Sequence, residues 1–538
     1  MENFFRIYFL SISIFCLITA ASTSSPNKER RFEGRWLNHG GNIYNRRQAE
    51  GETKISPSTA SQLRLRWEFN AGKDISATPA ISVGVVYFPS WNGYIYAVRA
   101  SDGSLVWKQK LQELTGLSVT VPLPNVTALV SVATPTVAGH KLLVSIYGPA
   151  YVVAMELATG ELLWTRQLDT HPAAAITMSG TYYKGGFYVG TSSFQRSFRP
   201  ENCCTFRGSF SKLDTNTGGI IWQTFMVPDN NGERGGYAGA AVWGSSPSID
   251  VSRNFIYIAT GIINSVPQPV QDCQSLQNNQ SFPSHPDECT EPHDHSSSIL
   301  ALDMDSGEIK WYQQIGGYNV SLFACRNNNS SSSGCPSSPT PYSEFGEAPM
   351  MLTTYAGGLK RDVVTAVQKS GFAWTLDRDD GHIVWFTEAG PGSFSGGGIW
   401  GAATDERRVY TNIGNANNQN FTLLPSSNIT TGGGWVAMDA PTGRILWSTA
   451  VPNDAISNPV TVANGVVFAG STYRTGPVYA MDGENGEIVW SYETGATVYG
   501  GVSVSKGCVY VGSGYGVGLG ASNPSFTSGT SVFAFCVD

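Results

Sequence analysis

One alternation of apolar and polar positions recurs along the chain. An apolar strand leads into a tight turn that carries Asp or another polar residue with Gly, and a second short strand follows and ends in Trp. The copies are YIYAVRASDGSLVW to Trp107, YVVAMELATGELLW to Trp164, SFSKLDTNTGGIIW to Trp222 and SILALDMDSGEIKW to Trp311, then FAWTLDRDDGHIVW to Trp385, GWVAMDAPTGRILW to Trp447 and PVYAMDGENGEIVW to Trp490. Alternation of period two around such turn chemistry predicts a β-hairpin. Short segments ahead of the hairpins supply further strands: ISATPAIS from Ile75, SVATPTVAG from Ser131, WGSSPSID from Trp243, FGEAPMML from Phe345, ISNPVTVANG from Ile456 and VYGGVSVSKG from Val498.

Each unit therefore reads as a four-stranded antiparallel blade with an inner and an outer half. Radial repetition of such blades buries every sheet face against a neighbour and leaves only short edges, which is the logic of a β-propeller. The last unit stops at SVFAFCVD, Ser531 to Asp538, without a Trp strand. The missing strand stands near the start as LRLRWEF, with Trp67 in the docking position. Pairing it with the C-terminal strands closes the ring, and counting Trp67 gives an all-β propeller of eight blades. Unequal Trp spacing marks inserted loops, roughly 266–298 and 327–343, of the kind that cover the end of a propeller funnel.

Composition agrees with this. The 538 residues include 60 glycines and are 12% aromatic and only 14% charged, as suits many short strands and tight turns. A net charge of −7 with no run of Lys or Arg argues against nucleic acid as a partner. Arg6, the apolar run from Ile7 to Ala20 and the small residues Ala20, Ala21 and Ser22 have the layout of a cleavable secretory signal; the alternative, a signal anchor, is disfavoured by the shortness of the run and by Ser11, Ser13 and Thr19. No other stretch is apolar enough for a membrane span. The expected organisation is a signal at 1–21, an N-terminal extension at 22–62 and the propeller at 63–538, in a protein secreted or held in an endomembrane lumen, extracellular, apoplast-like or vacuolar.

Cys16 leaves with the signal, and the eight remaining cysteines are an even number for an oxidising compartment. Local spacing suggests Cys273 with Cys289, Cys325 with Cys335 and Cys508 with Cys536, while Cys203 and Cys204 are adjacent. For Cys508 and Cys536 the alternative is two buried free thiols. Sequons at Asn125, Asn279, Asn319, Asn328, Asn329, Asn420 and Asn428 offer glycan acceptors on loops.

The repeat, the block CCTFRGSFSKLDTNTG at Cys203 to Gly218 and the block FGEAPMML resemble the pyrroloquinoline quinone (PQQ) alcohol dehydrogenases, especially polyvinyl-alcohol-dehydrogenase-like members. The resemblance covers nearly the whole mature chain. It implies a planar quinone in the central funnel between a Trp floor and a ring of vicinal disulfide-linked cysteines, with calcium on one edge. Trp243 matches the floor, Cys203 and Cys204 resemble the vicinal pair, and Lys369, in AVQKSGFAWTLD, matches the cation at the quinone oxygens, where it would stabilise negative charge on the reduced ring.

The rest of the family's set departs from the pattern. The calcium carboxylate falls at Gln195, the Asn ligand at Ile262 and the general-base Asp at Asn319. A hard cation needs several oxygen donors, and Ile offers none. Asn264 replaces the lost oxygen if the local register slips by two residues. A neutral Asn at 319 cannot take an alcohol's proton, and that residue also begins a sequon. Each position has a plainer reading as well: Trp243 as a core aromatic, the vicinal cysteines paired without any cofactor, and Lys369, between a strand and a turn, as a solvated side chain. PQQ and calcium are thus the family's cofactors, and the substitutions leave open a chain that uses neither.

Three functions follow from these readings. The family-level one is a secreted quinoprotein dehydrogenase acting on a hydroxylated small molecule or polymer. It would need a separate electron acceptor, because the mature chain has no Cys-x-x-Cys-His haem motif. The second is a PQQ-independent isomerase, lyase or cyclase of secondary metabolism using a funnel lined by Trp243, Trp400 and Tyr499, with His171 and Glu347 as candidate acid–base groups, each with an alternative structural role. The third is a non-catalytic propeller that binds carbohydrate or protein at its rim. His293 and His295, with His285 nearby, suggest a zinc site, although a solvated loop explains the same composition.

Overall fold

The computed structural model describes residues 34–198, 202–277, 289, 291–316, 342–453, 456 and 458–538. The repeat folds as the alternation requires, into eight four-stranded antiparallel sheets arranged as blades. In the first, Ala80–Ser82, Val85–Pro89, Tyr94–Arg99 and Leu105–Lys110 pair in chain order. The eighth is made from both ends of the chain: Ser503–Ser505, Cys508–Gly512 and Ser531–Cys536 are completed by Arg64–Asn70, with Arg64 opposite Cys536 and Asn70 opposite Ser531. Among the described residues the α-helices are Leu111–Thr115 and Gln268–Gln277, and none is long and apolar enough to cross a membrane.

The eight outer tryptophans hold the blades together in one way. Each indole N–H donates to a backbone carbonyl in the next blade, from Trp67 to Ala100 at 2.9 Å round to Trp490, which reaches Leu63 at 3.1 Å and closes the circle. The turn glycine of the repeat lies under this contact. Gly103 has φ 72°, and a Cβ there would lie 2.8 Å from the Trp67 ring, so both backbone conformation and space demand glycine. Between every two neighbouring blades lies one apolar core, such as Val153 with Ile95 or Phe468 with Phe533. Full burial of one such side chain is worth about 1.5–3 kcal/mol, so ring closure gains as much as any other blade junction.

The segment ahead of the first Trp strand is part of this ring. Residues 34–47 run across the blades and bond to each in turn. The Ser505 hydroxyl reaches Gly34 O, Trp36 pairs with Ile81, and Val137 N reaches Leu37 O. Asn38 donates to Thr181, and the amides of Ile249, Met351, Thr404 and Val462 donate to the carbonyls of Ile43, Tyr44, Arg46 and Arg47. Trp36 and Arg47 are fully buried, and the Arg47 guanidinium bonds His39 O, Val460 O, Thr461 Oγ1 and Val502 O.

Disulfides join Cys203 to Cys204, Cys273 to Cys289 and Cys508 to Cys536, the last across the seam blade. Cys325 and Cys335 lie outside the described residues, as do His285 and the sequons at Asn279, Asn319, Asn328 and Asn329; Asn125, Asn420 and Asn428 are exposed.

Candidate functional site

The turns that lead into the inner strands converge on a funnel of about 900 Å³, to which every blade contributes. One side of it is charged. Lys369 sits in the turn between Leu359–Val367 and Phe372–Asp377, pinned by Lys369 N to Glu344 O at 3.0 Å and by Gly397 N to Lys369 O at 2.9 Å. Its ammonium donates to Glu344 Oε2 at 2.9 Å and stands 4.8 Å from the centre of the Trp243 ring. Arg196, in the short turn Gln195–Ser197, donates to the same Glu344 oxygen at 2.6 Å. Both cations flank Phe394, at 5.4 and 5.5 Å from its ring centre. These two positive groups outweigh burial and hold the Glu344 carboxyl down at about 2.

The other side is aromatic. Trp243 meets Trp400 edge to face at 5.1 Å, Trp400 meets Tyr499, and Tyr499 stacks on Tyr515 at 4.1 Å. Tyr147 and Phe194 continue the wall, and Trp91 packs behind Tyr147 and Tyr515. At the floor, His39 Nε2 lies 2.6 Å from Trp400 O, and Nδ1 is 3.4 and 3.5 Å from the Thr78 and Thr134 hydroxyls. Burial, and then the Arg47 charge, push its pKa well below the ordinary imidazole value, so the ring is neutral.

The positions expected from the sequence fall into three groups. Trp243 and Lys369 come together in the funnel, and Lys369 is buried at 5% exposure rather than solvated. Ile262, Asn264, Trp400 and Tyr499 also line it. Gln195 is spent elsewhere: its Oε1 accepts from the amides of Thr205 and Phe206, both at 2.8 Å, and clamps the loop that follows the vicinal cysteines. Cys203 and Cys204 form their disulfide but are not among the lining residues; they pack against Ala238. His171 bonds Thr205 Oγ1 and Ala173 N outside the funnel lining. Glu347 is buried beneath it, where Oε1 accepts from Val367 N at 2.8 Å and burial raises its pKa to about 8. Asn319 lies outside the described residues. His293 and His295 lie in a separate outer groove with Tyr312; among the described residues the one compact group of metal-ligand side chains is Asp377, Asp380 and His382 in a solvent-facing turn.

Sequence reasoning missed Glu344, Arg196 and His39. Glu344 lies one residue ahead of the FGEAPMML block and Arg196 directly follows Gln195, so the signal for both was adjacent to positions already singled out.

Two features of the floor suit a flat ligand. The Trp243 indole N–H is buried without a hydrogen-bond partner among the described residues, and a Cβ at Gly261 would lie 3.3 Å from both that nitrogen and Glu344 Oε1. A planar group over Trp243 with acidic substituents near Lys369 and Arg196 fits this chemistry. A calcium ion fits poorly: the Gln195 oxygen is engaged, the Ile262 side chain has none to give, two cations already bond Glu344 Oε2, and of the expected calcium positions Asn264 alone keeps a side-chain oxygen among the described lining residues.

The fold and the site define a Trp-docked propeller with a charged, aromatic funnel. The chain belongs to the PQQ-repeat propellers of the quinoprotein alcohol dehydrogenase-like family: the family model described as outer membrane protein assembly factor BamB matches residues 59–313 and 369–525. It is 27% identical over 536 residues to a polyvinylalcohol dehydrogenase of Pseudomonas sp., covering 94% of this chain and 77% of that one. It is 28% identical over 516 residues to a polyvinylalcohol dehydrogenase of Sphingopyxis sp., covering 89% and 72%. Among solved structures it is similar to the quinohemoprotein alcohol dehydrogenase of Comamonas testosteroni, with TM-score 0.67, 18% identity and 94% and 80% coverage. It is also similar to a europium-containing methanol dehydrogenase, with TM-score 0.68, 16% identity and 95% and 100% coverage. These two likenesses concern the fold.

Proposed function

We propose that the chain is an oxidoreductase that oxidises a hydroxyl group of a substrate held in the funnel, with a planar quinone of the PQQ class over Trp243. The observation that carries this reading is the cluster of Lys369, Glu344 and Trp243 in one cavity. When bound, PQQ supplies the acceptor for the two electrons of the alcohol. Trp243 offers a flat floor and Lys369 Nζ a fixed positive charge at the ligand edge, which a dry site makes effective. Glu344 takes the role expected of Asn319. Both cations bond its Oε2, and Oε1, on the side of Gly261, is the atom that accepts the alcohol's proton. The aromatic wall of Trp400, Tyr499 and Tyr515 excludes water and favours an apolar or ring-bearing substrate.

The same reading places the protein in the secretory pathway, supported by the signal-like N-terminus and the disulfides, with electrons leaving to a separate acceptor. The proposed organisation remains a signal at 1–21, an N-terminal extension at 22–62 and the propeller at 63–538, with the extension tied to the ring by the bonds of residues 34–47. A second reading, a PQQ-independent enzyme using the same funnel, is favoured by one observation: Glu344 is held by two cations and is a weak base. Titration of the purified protein with PQQ, with and without Ca²⁺, following quinone absorbance and alcohol-dependent dye reduction, separates them. Saturable binding with turnover is expected; no binding at micromolar cofactor favours the second reading.

A further inference from the structure

We infer that the Arg196 guanidinium is a built-in counter-cation for Glu344 that takes the place of a divalent metal ion, so that the funnel receives an anionic, planar ligand without any metal. The inference rests on the reading that the Trp243 floor is the binding site. Three observations carry it. Arg196 reaches Glu344 Oε2 at 2.6 Å and shares that oxygen with Lys369 at 2.9 Å, so a metal ion at this carboxylate would sit against two positive groups. The neighbouring oxygen of Gln195 is withdrawn from the funnel by the amides of Thr205 and Phe206, and the Ile262 side chain has no oxygen, which leaves Asn264 as the one expected calcium position with a side-chain oxygen among the described lining residues. A hard cation requires about 6–8 oxygen ligands, preferably anionic, and with Arg196 on Glu344 it loses the one carboxylate among the described lining residues, which R196Q would return.

The placement of the two cations points to the ligand class. Among the described lining residues two cationic side chains, Arg196 and Lys369, face one carboxylate, Glu344, with His39 neutral. Both cations lie beside the Phe394 ring and Lys369 over Trp243. A guanidinium presents a planar fork of donors that matches a carboxylate, which a spherical ion does not. The geometry therefore selects a flat ring system bearing a carboxylate or an ionised oxygen.

The test uses the full-length secreted protein without any quinone. Terbium(III) luminescence excited through tryptophan is titrated and competed with Ca²⁺ for the native protein, E344Q, R196Q, R196K and R196Q/E344Q, with near-ultraviolet circular dichroism to confirm folding. The native protein, E344Q and R196K should give the same signal, because any terbium at surface carboxylates cancels between them. R196Q should gain a Ca²⁺-competed signal, at least threefold, that R196Q/E344Q lacks. A native signal that E344Q abolishes would overturn the inference, and so would a folded R196Q without the gain. A parallel titration with PQQ should show affinity unchanged within twofold by EDTA; a calcium requirement would overturn the inference too. Absence of PQQ binding counts against the proposed function and leaves the terbium results to decide the metal question.

Discussion

The Trp400 indole N–H donates to the Tyr499 phenol oxygen at 2.8 Å, while the Trp400 carbonyl is held by His39 at 2.6 Å. One residue thus ties the aromatic wall of the funnel to the segment that crosses its floor. Y499F removes the acceptor and leaves the indole donor stranded, which costs about 1–3 kcal/mol. Denaturant titration should show that loss, and the W400F/Y499F double variant should lose less than the two single changes added together.

Lys369 and Glu344 make separable predictions. K369M should lower kcat by about 10²–10³, the usual cost of one charge-stabilising donor, with folding intact by circular dichroism. E344Q keeps the shape but cannot accept a proton, and should lower kcat by about 10²–10⁴. Because Glu344 is held at about 2, the acid limb of the rate profile should not appear above about pH 4.

Glu347 sets a pH dependence of stability with the opposite sign to the usual carboxylate. Burial raises its pKa to about 8 from 4.5, so the folded state binds the extra proton. Its contribution is fully present below pH 4.5 and is lost as pH rises through about 8, on the order of a few kcal/mol. E347Q should flatten the fall in melting temperature between pH 5 and pH 8 (about the span of the shift) while keeping the bond from Val367 N.

The seam can be tested directly. The Cys508–Cys536 disulfide spans 28 positions between two strands of the blade that both ends of the chain build. C508A/C536A should cost about 2–4 kcal/mol, and limited proteolysis should then cut first near Arg64–Asn70.

The fold was legible because its information is local. Strand alternation, the turn glycine and the Trp sit within fourteen residues of one another in YIYAVRASDGSLVW, and Trp67 with the truncated last unit announced the closure. Trp243 and Lys369 were reached through the family resemblance, which the segments that carry them made available; read alone, they were a core aromatic and a solvated lysine. The ion cluster was not legible. Arg196 and Glu344 are 148 positions apart and meet only because the ring brings blades three and five to one corner. Gln195 shows the reverse: its side chain is the right size for a ligand, and only the loop geometry reveals that two backbone amides consume it.

The crossing segment has a consequence for assembly. Residues 34–47 hold at least one bonding partner in every blade, in the order in which the blades follow round the circle. Such a strip acts as a gauge: a ring short of one blade leaves a bond pair vacant, and a ring with an added blade has no seat for it. Blade number in this protein is thereby written twice, once as the count of tryptophan units and once as the spacing of contacts along a strip that contains none of those units.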